Sequence, residues 1–148
     1  MPLPRAAVWL AGMIAPAAAA AQSAAPPSLD CALGFESLRF AMHALPGVQV
    51  GEGGGFDVVM LSVPDVWRAE ISFTTRWHPA YPAATMRTFR KQVTGVWTAE
   101  SKSCGYGDQG QFSALVEQMK SGDKALTEAS RAEVERQKAS RSPLAPPH

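Results

Sequence analysis

The chain has no asparagine, which removes every acceptor for N-linked glycosylation. Histidine is scarce. His43, His78 and His148 stand at no metal-ligand spacing, and neither His-Glu-x-x-His nor Cys-x-x-Cys occurs, so no metal ion and no cofactor is expected. No Gly-x-Ser-x-Gly elbow is available to hold a serine nucleophile. The run Gly51-Glu52-Gly53-Gly54-Gly55 lacks the following Lys-Ser or Lys-Thr of a phosphate-cradling loop and leads into a strand-like segment, so it reads as a mobile turn. Beyond residue 21 no apolar stretch approaches the roughly 20 residues that cross a bilayer, which predicts no stable membrane insertion of the remainder. An excess of either charge is missing as well. There are 14 Lys and Arg against 13 Asp and Glu, and Arg5 is the only charged residue among the first 21, so the rest of the chain is formally neutral. Phosphate backbones are bound through surplus cations that release counterions, and this balance predicts no nucleic-acid partner.

What is present begins with the pattern of a secretory leader. Arg5 precedes the apolar run Ala6 to Ala15, followed by Pro16 and the small-residue tract Ala17 to Ala21. That order predicts a signal peptide over residues 1–21, cleaved after Ala21 to leave Gln22. Cys31 follows Ser28-Leu29-Asp30 rather than a small-residue box, so it is not a lipid-attachment site and is free to pair. Two cysteines in an exported chain oxidise together where geometry permits, which predicts a Cys31–Cys104 disulfide. Abundant Ala, Arg and Pro without asparagine is a bacterial composition and places the expected product in the periplasm or the medium.

After a flexible leader over 22–28, a single α+β domain is expected over 29–138, with a disordered tail over 139–148. Cys31, Phe35, Leu38, Met42 and Leu45 recur at helical spacing, and Pro46-Gly47 supplies a stop, so the domain should open on a helix. Residues 56–63 are apolar on both strand faces, as in a central strand. Trp67, Ala69, Ile71 and Phe73 alternate with Arg68, Glu70, Ser72 and Thr74, the cleanest strand pattern in the chain. Residues 85–94 fit helix and strand alike. They are read as strand because they run into the β-branched and aromatic segment 94–100, with Gly95 as a bend or bulge. Asp108 and Gln111 have capping-box form and open a second helix with the stripe Phe112, Leu115, Val116, Met119, which Ser121-Gly122-Asp123 would kink or recap. The fold expected is therefore an N-terminal helix, an antiparallel sheet of about four strands, a C-terminal helix and one disulfide.

For function, no catalytic residue is assigned. The loop Arg76-Trp77-His78-Pro79-Ala80-Tyr81-Pro82 leaves the best-patterned strand, is stiffened by two prolines and gathers residue types that dominate contact surfaces, so Arg76, Trp77, His78 and Tyr81 are the candidate binding residues. His43 is read as a partly buried histidine favoured by the negative end of its helix. The basic set Arg87, Arg90 and Lys91 is read as a solvated strand face. The best-supported expectation is a small, soluble, exported, non-catalytic binding module for a protein or small ligand of the cell envelope. One alternative is a small periplasmic hydrolase using His78 with Glu70 or Glu100; Asp57 is a further carboxylate of possible acid/base use. Another is a structural accessory protein acting through its C-terminal helix, residues 124–138. Exposure of Trp77 or Tyr81 favours the first, and a carboxylate within hydrogen-bond reach of His78 favours the second.

Overall fold

The structure is a computed structural model that describes residues 25–141; the expected signal peptide over 1–21 and the residues from 142 onward lie outside the described part. Five strands, β1 (Gln49–Gly53), β2 (Phe56–Val63), β3 (Trp67–Thr74), β4 (Ala83–Lys91) and β5 (Trp97–Gly105), form one antiparallel sheet in sequential order. A 3-10 turn at Cys31–Leu33 and the helix α1 (Phe35–His43) precede the sheet, and the helix α2 (Gln109–Arg141) follows it. Every connection inside the sheet is a hairpin, the cheapest way to pair neighbours.

The strand count exceeds the expected four, for two local reasons. The first is the segment 85–100, which is two strands: Gly95 has φ 86, and its N–H donates to the Gln92 carbonyl, so the glycine turns the chain rather than bulging a strand. The second is Val50, which with its neighbours pairs along β2 as β1, closed by a tight turn in which Gly54 and Gly55 both take positive φ. Left-handed backbone at both central positions is what a two-residue hairpin needs, so the glycine run closes the β1–β2 hairpin. The opening helix is shorter than its periodicity suggested. Gly34, at φ 76, breaks it into the 3-10 turn and the nine-residue α1.

One sheet face carries Val59, Trp67, Ala69, Ile71, Phe73, Ala84 and Met86 against Leu29, Leu38 and Met42. Leu38 is wholly buried there, and truncating it to alanine should cost about 3 kcal/mol. Cys31 bonds Cys104 with Cα atoms 5.3 Å apart, tying the 3-10 turn to the end of β5.

The other face is covered by α2 along β4 and β5. Asp108 Oδ1 accepts the Gln111 N–H at 2.8 Å, as the capping pattern predicted. The helix is unbroken over 33 residues, so Ser121-Gly122-Asp123 does not recap it, and residues 139–141, expected in the tail, are helical. At about 1.5 Å per residue it spans roughly 50 Å, longer than the roughly 30 Å of a nine-residue strand. Its first turns seat Phe112, Leu115 and Met119 beside Ala80 and Ala83. A Cβ on Gly105 would lie 2.5 Å from the Phe112 ring, so only glycine admits that contact. Farther along, Thr127 Oγ1 and Ser130 Oγ accept the N–H groups of Ala99 and Trp97 at 3.0 and 2.8 Å. Those are the outward-facing amides of an edge strand, which the helix thereby satisfies and shields.

Candidate functional site at the disulfide end of the sheet

An antiparallel meander places the β1–β2 turn, the β3–β4 loop and the β5–α2 connection at one end, where the disulfide also lies. The β3–β4 loop carries the four predicted binding residues. Its backbone is fixed: Thr75 N–H donates to the Gly55 carbonyl at 2.8 Å, His78 N–H to Thr75 at 2.9 Å, and Tyr81 N–H to His78 at 3.0 Å. The buried Thr74 hydroxyl accepts from Ala83 N–H and donates to the Ala83 carbonyl, and the Tyr81–Pro82 peptide is cis.

The four side chains go to different places. Trp77 is 92% exposed and Arg76 is exposed beside it. His78 turns inward, its ring 4.7 Å from that of Phe56, while Nδ1 accepts the Ala80 N–H at 3.1 Å. It is a support of the loop. Tyr81 is half-buried, edge-on to Phe35 at 5.5 Å, and Phe35 meets Phe73 and Tyr106 in the same way at 5.9 and 6.3 Å. Tyr106 donates its hydroxyl to the Cys31 carbonyl at 2.9 Å; burial, then the charge of Asp30, raises its pKa.

Arg76 and Tyr81 line a cavity of about 510 Å³ with Phe35 and Arg39 of α1, Glu52 of β1 and Asp57 of β2. Asp57 organises its wall. One oxygen, Oδ2, receives Arg39 Nε at 2.8 Å and His43 Nε2 at 2.9 Å. The hydrogen bond from Arg39 to Asp57 raises the arginine's pKa, more than burial lowers it. Sequence reasoning treated His43 and Asp57 separately. Asp57 pairs with Phe73 across β2 and β3 and so shares the face on which α1 lies. The signal was strand parity, but using it required knowing which face α1 covers. The contacts of Arg39 and His43 with Asp57 anchor α1 to the sheet; among the described residues no hydroxyl or thiol bonds the other nitrogen of His43.

The hydrolase arrangement is not assembled. Glu70 lies beside Met60 and Arg87 in the middle of β3 and pairs with Arg68 at 3.4 Å, Glu100 points to the opposite face, and no carboxylate bonds His78 among the described residues. The basic set also divides. Arg87 is locked to Asp123 at 2.6 Å beneath α2, Lys91 reaches Asp65 at 2.8 Å, and Arg90 stands on the other face. A second, more apolar cleft of about 370 Å³ lies at the far end between α2 and the sheet, where Arg68 covers the Phe89 ring at 4.1 Å beside Trp97 and Leu126.

Among the described residues no helix is long and apolar enough to cross a membrane, and no group of three or more His, Cys, Asp or Glu is placed to hold a metal ion. No protein-family model matches the chain, and no curated protein and no solved structure matches it.

Proposed function

We propose that the protein is an exported, non-catalytic binding module that engages a protein or small ligand of the cell envelope through the loop between β3 and β4. The observation that carries this reading is Trp77: a large ring almost wholly in water, on a backbone held by hydrogen bonds at Thr75, His78, Ala80 and Tyr81. Burying such a ring against a partner contributes on the order of 2–3 kcal/mol, and the fixed loop lowers the ordering cost of doing so. Arg76 adds a cation at the same place, Tyr81 forms the adjoining wall of the cavity, and His78 sets the loop's shape.

Replacing Trp77 by alanine removes no packed contact, so its unfolding midpoint should stay within the change expected of a surface site, about 0.5 kcal/mol. Recovery of the native partner from an envelope extract should be lost. Undiminished recovery overturns the reading. Tyr81→Ala serves as the contrast, because its ring packs on Phe35 and its loss should cost about 2 kcal/mol.

A second reading, an accessory protein acting through α2, draws on the helix's final turns. Residues 135–141 are all exposed, and Arg136 and Lys138 pair with Glu133 and Glu135 on the helix itself. Truncation after Val134 that abolishes partner recovery while Trp77→Ala does not would favour this reading over the first.

A further inference from the structure

The cavity beside Tyr81 contains charges that do not cancel one another. Arg39 is occupied by Asp57 at 2.8 Å and by Glu36 at 3.6 Å. Asp57 accepts both its partners on Oδ2, leaving Oδ1 open. Arg76 and Glu52 line the same cavity, both are exposed, and neither has a hydrogen bond or ion pair among the described residues. One free guanidinium and three carboxylates with an open oxygen each, Glu36, Glu52 and Asp57, thus share a space bounded on its apolar side by Phe35 and Tyr81.

We propose that this cavity holds a small zwitterionic ligand of the short-peptide class, its carboxylate on Arg76, its ammonium on Glu52 and Asp57 Oδ1, and an apolar side chain against Phe35 and Tyr81. The proposal rests on the binding-module reading and names the chemistry of its ligand. A purely anionic ligand meets the uncompensated Glu52, and a purely cationic one meets Arg76. A neutral apolar ligand strips water from both and returns no partner to either, a costly exchange for charged groups. A zwitterion satisfies both. The guanidinium fork matches a carboxylate in two parallel hydrogen bonds, and an ammonium has three donors to divide between two carboxylates. The cavity's size falls within the roughly 300–1,000 Å³ common for small-ligand sites.

The test titrates the full chain with the dipeptide Ala-Phe, its N-acetylated form and its C-terminal amide, followed by calorimetry and by amide shifts at Glu52 and Arg76. Ala-Phe should bind saturably, and each blocked form should bind about tenfold more weakly or worse, since each loses one charge-assisted contact. Arg76→Gln should abolish the penalty of amidation and leave that of acetylation; Glu52→Gln should shrink the penalty of acetylation, since Asp57 still meets the ammonium, and leave that of amidation in full. Both positions are exposed and unpaired, so both variants fold. Equal binding of the three probes, equal weakening of all three by both substitutions, or no saturable binding of Ala-Phe overturns the proposal. If the dipeptide fails while native partner recovery still depends on Trp77, the ligand class is wrong and the binding-module reading stands. If partner recovery ignores Trp77, that reading falls independently of the dipeptide.

Discussion

Gly122 sits in the middle of a 33-residue helix, where glycine is about 1 kcal/mol worse than alanine. Gly122→Ala would ordinarily stabilise such a helix. Here the added Cβ would lie 2.6 Å from Arg87 Nη2. That guanidinium cannot swing aside freely: its Nε bonds Asp123 Oδ1 at 2.6 Å, its Nη2 bonds the Met119 carbonyl at 3.1 Å, and Ser101 holds the same Asp123 oxygen at 2.7 Å. The pair is well shielded, with side-chain exposures of 18% for Arg87 and 13% for Asp123. Displacing one member of a buried pair costs about 3 kcal/mol, so Gly122→Ala should destabilise the wild type by about 2 kcal/mol net. In an Arg87→Ala background nothing is left to displace, and the same substitution should stabilise by about 0.5–1 kcal/mol. Urea unfolding of the four proteins in this cycle reads the reversal as opposite shifts of midpoint at constant slope. If Gly122→Ala stabilises the wild type, Arg87 is not pinned under α2 and the account of the helix–sheet contact is wrong.

Reducing the Cys31–Cys104 bridge, which spans 73 residues, should lower stability by about 4 kcal/mol in the chain-entropy description, measured by denaturant unfolding with and without reductant. Replacing Thr127 by valine and Ser130 by alanine together should cost about 1 kcal/mol per lost hydrogen bond and speed hydrogen exchange at the Ala99 and Trp97 amides, the two that these hydroxyls satisfy. The Asp65 carboxyl is held below the usual aspartate range, first by the Lys91 hydrogen bond and then by that residue's charge. A lowered folded value means the pair's contribution is present above the ordinary aspartate range and is lost as pH falls through the folded value. An NMR titration should place the Asp65 midpoint low, and Lys91→Met should return it upward; no change on that substitution would refute the assignment.

Local pattern settled much of this protein. The alternation at Trp67, Ala69, Ile71 and Phe73 specified both a strand and its buried face, because a period of two leaves only one choice of face once a core exists. Asp108 and Gln111 marked the start of α2, since a cap is a contact between near neighbours, and two cysteines alone specified the bridge because they had only each other. The loop at Arg76 to Pro82 was legible as a loop for the same reason: prolines act on their own backbone.

Which polar side chains meet a neighbouring element was not legible. The first turns of α2 bury Phe112, Leu115 and Met119 of the apolar stripe, but farther along Asp123, Thr127 and Ser130 turn to the sheet because an edge strand and a shielded arginine offer them partners. Trp77 and His78 are adjacent in sequence and equally suited to contact, but only the position of Phe56 and of the Ala80 amide turns the histidine inward and leaves the indole in water. The joining of Arg39, His43 and Asp57, and of Arg76 with Glu52 around one cavity, depends on α1 crossing the face of the sheet that bears Asp57. Sequence periodicity encodes the direction of a side chain relative to its own backbone; the partner it finds there is set by how the elements pack, and no local pattern carries that distance.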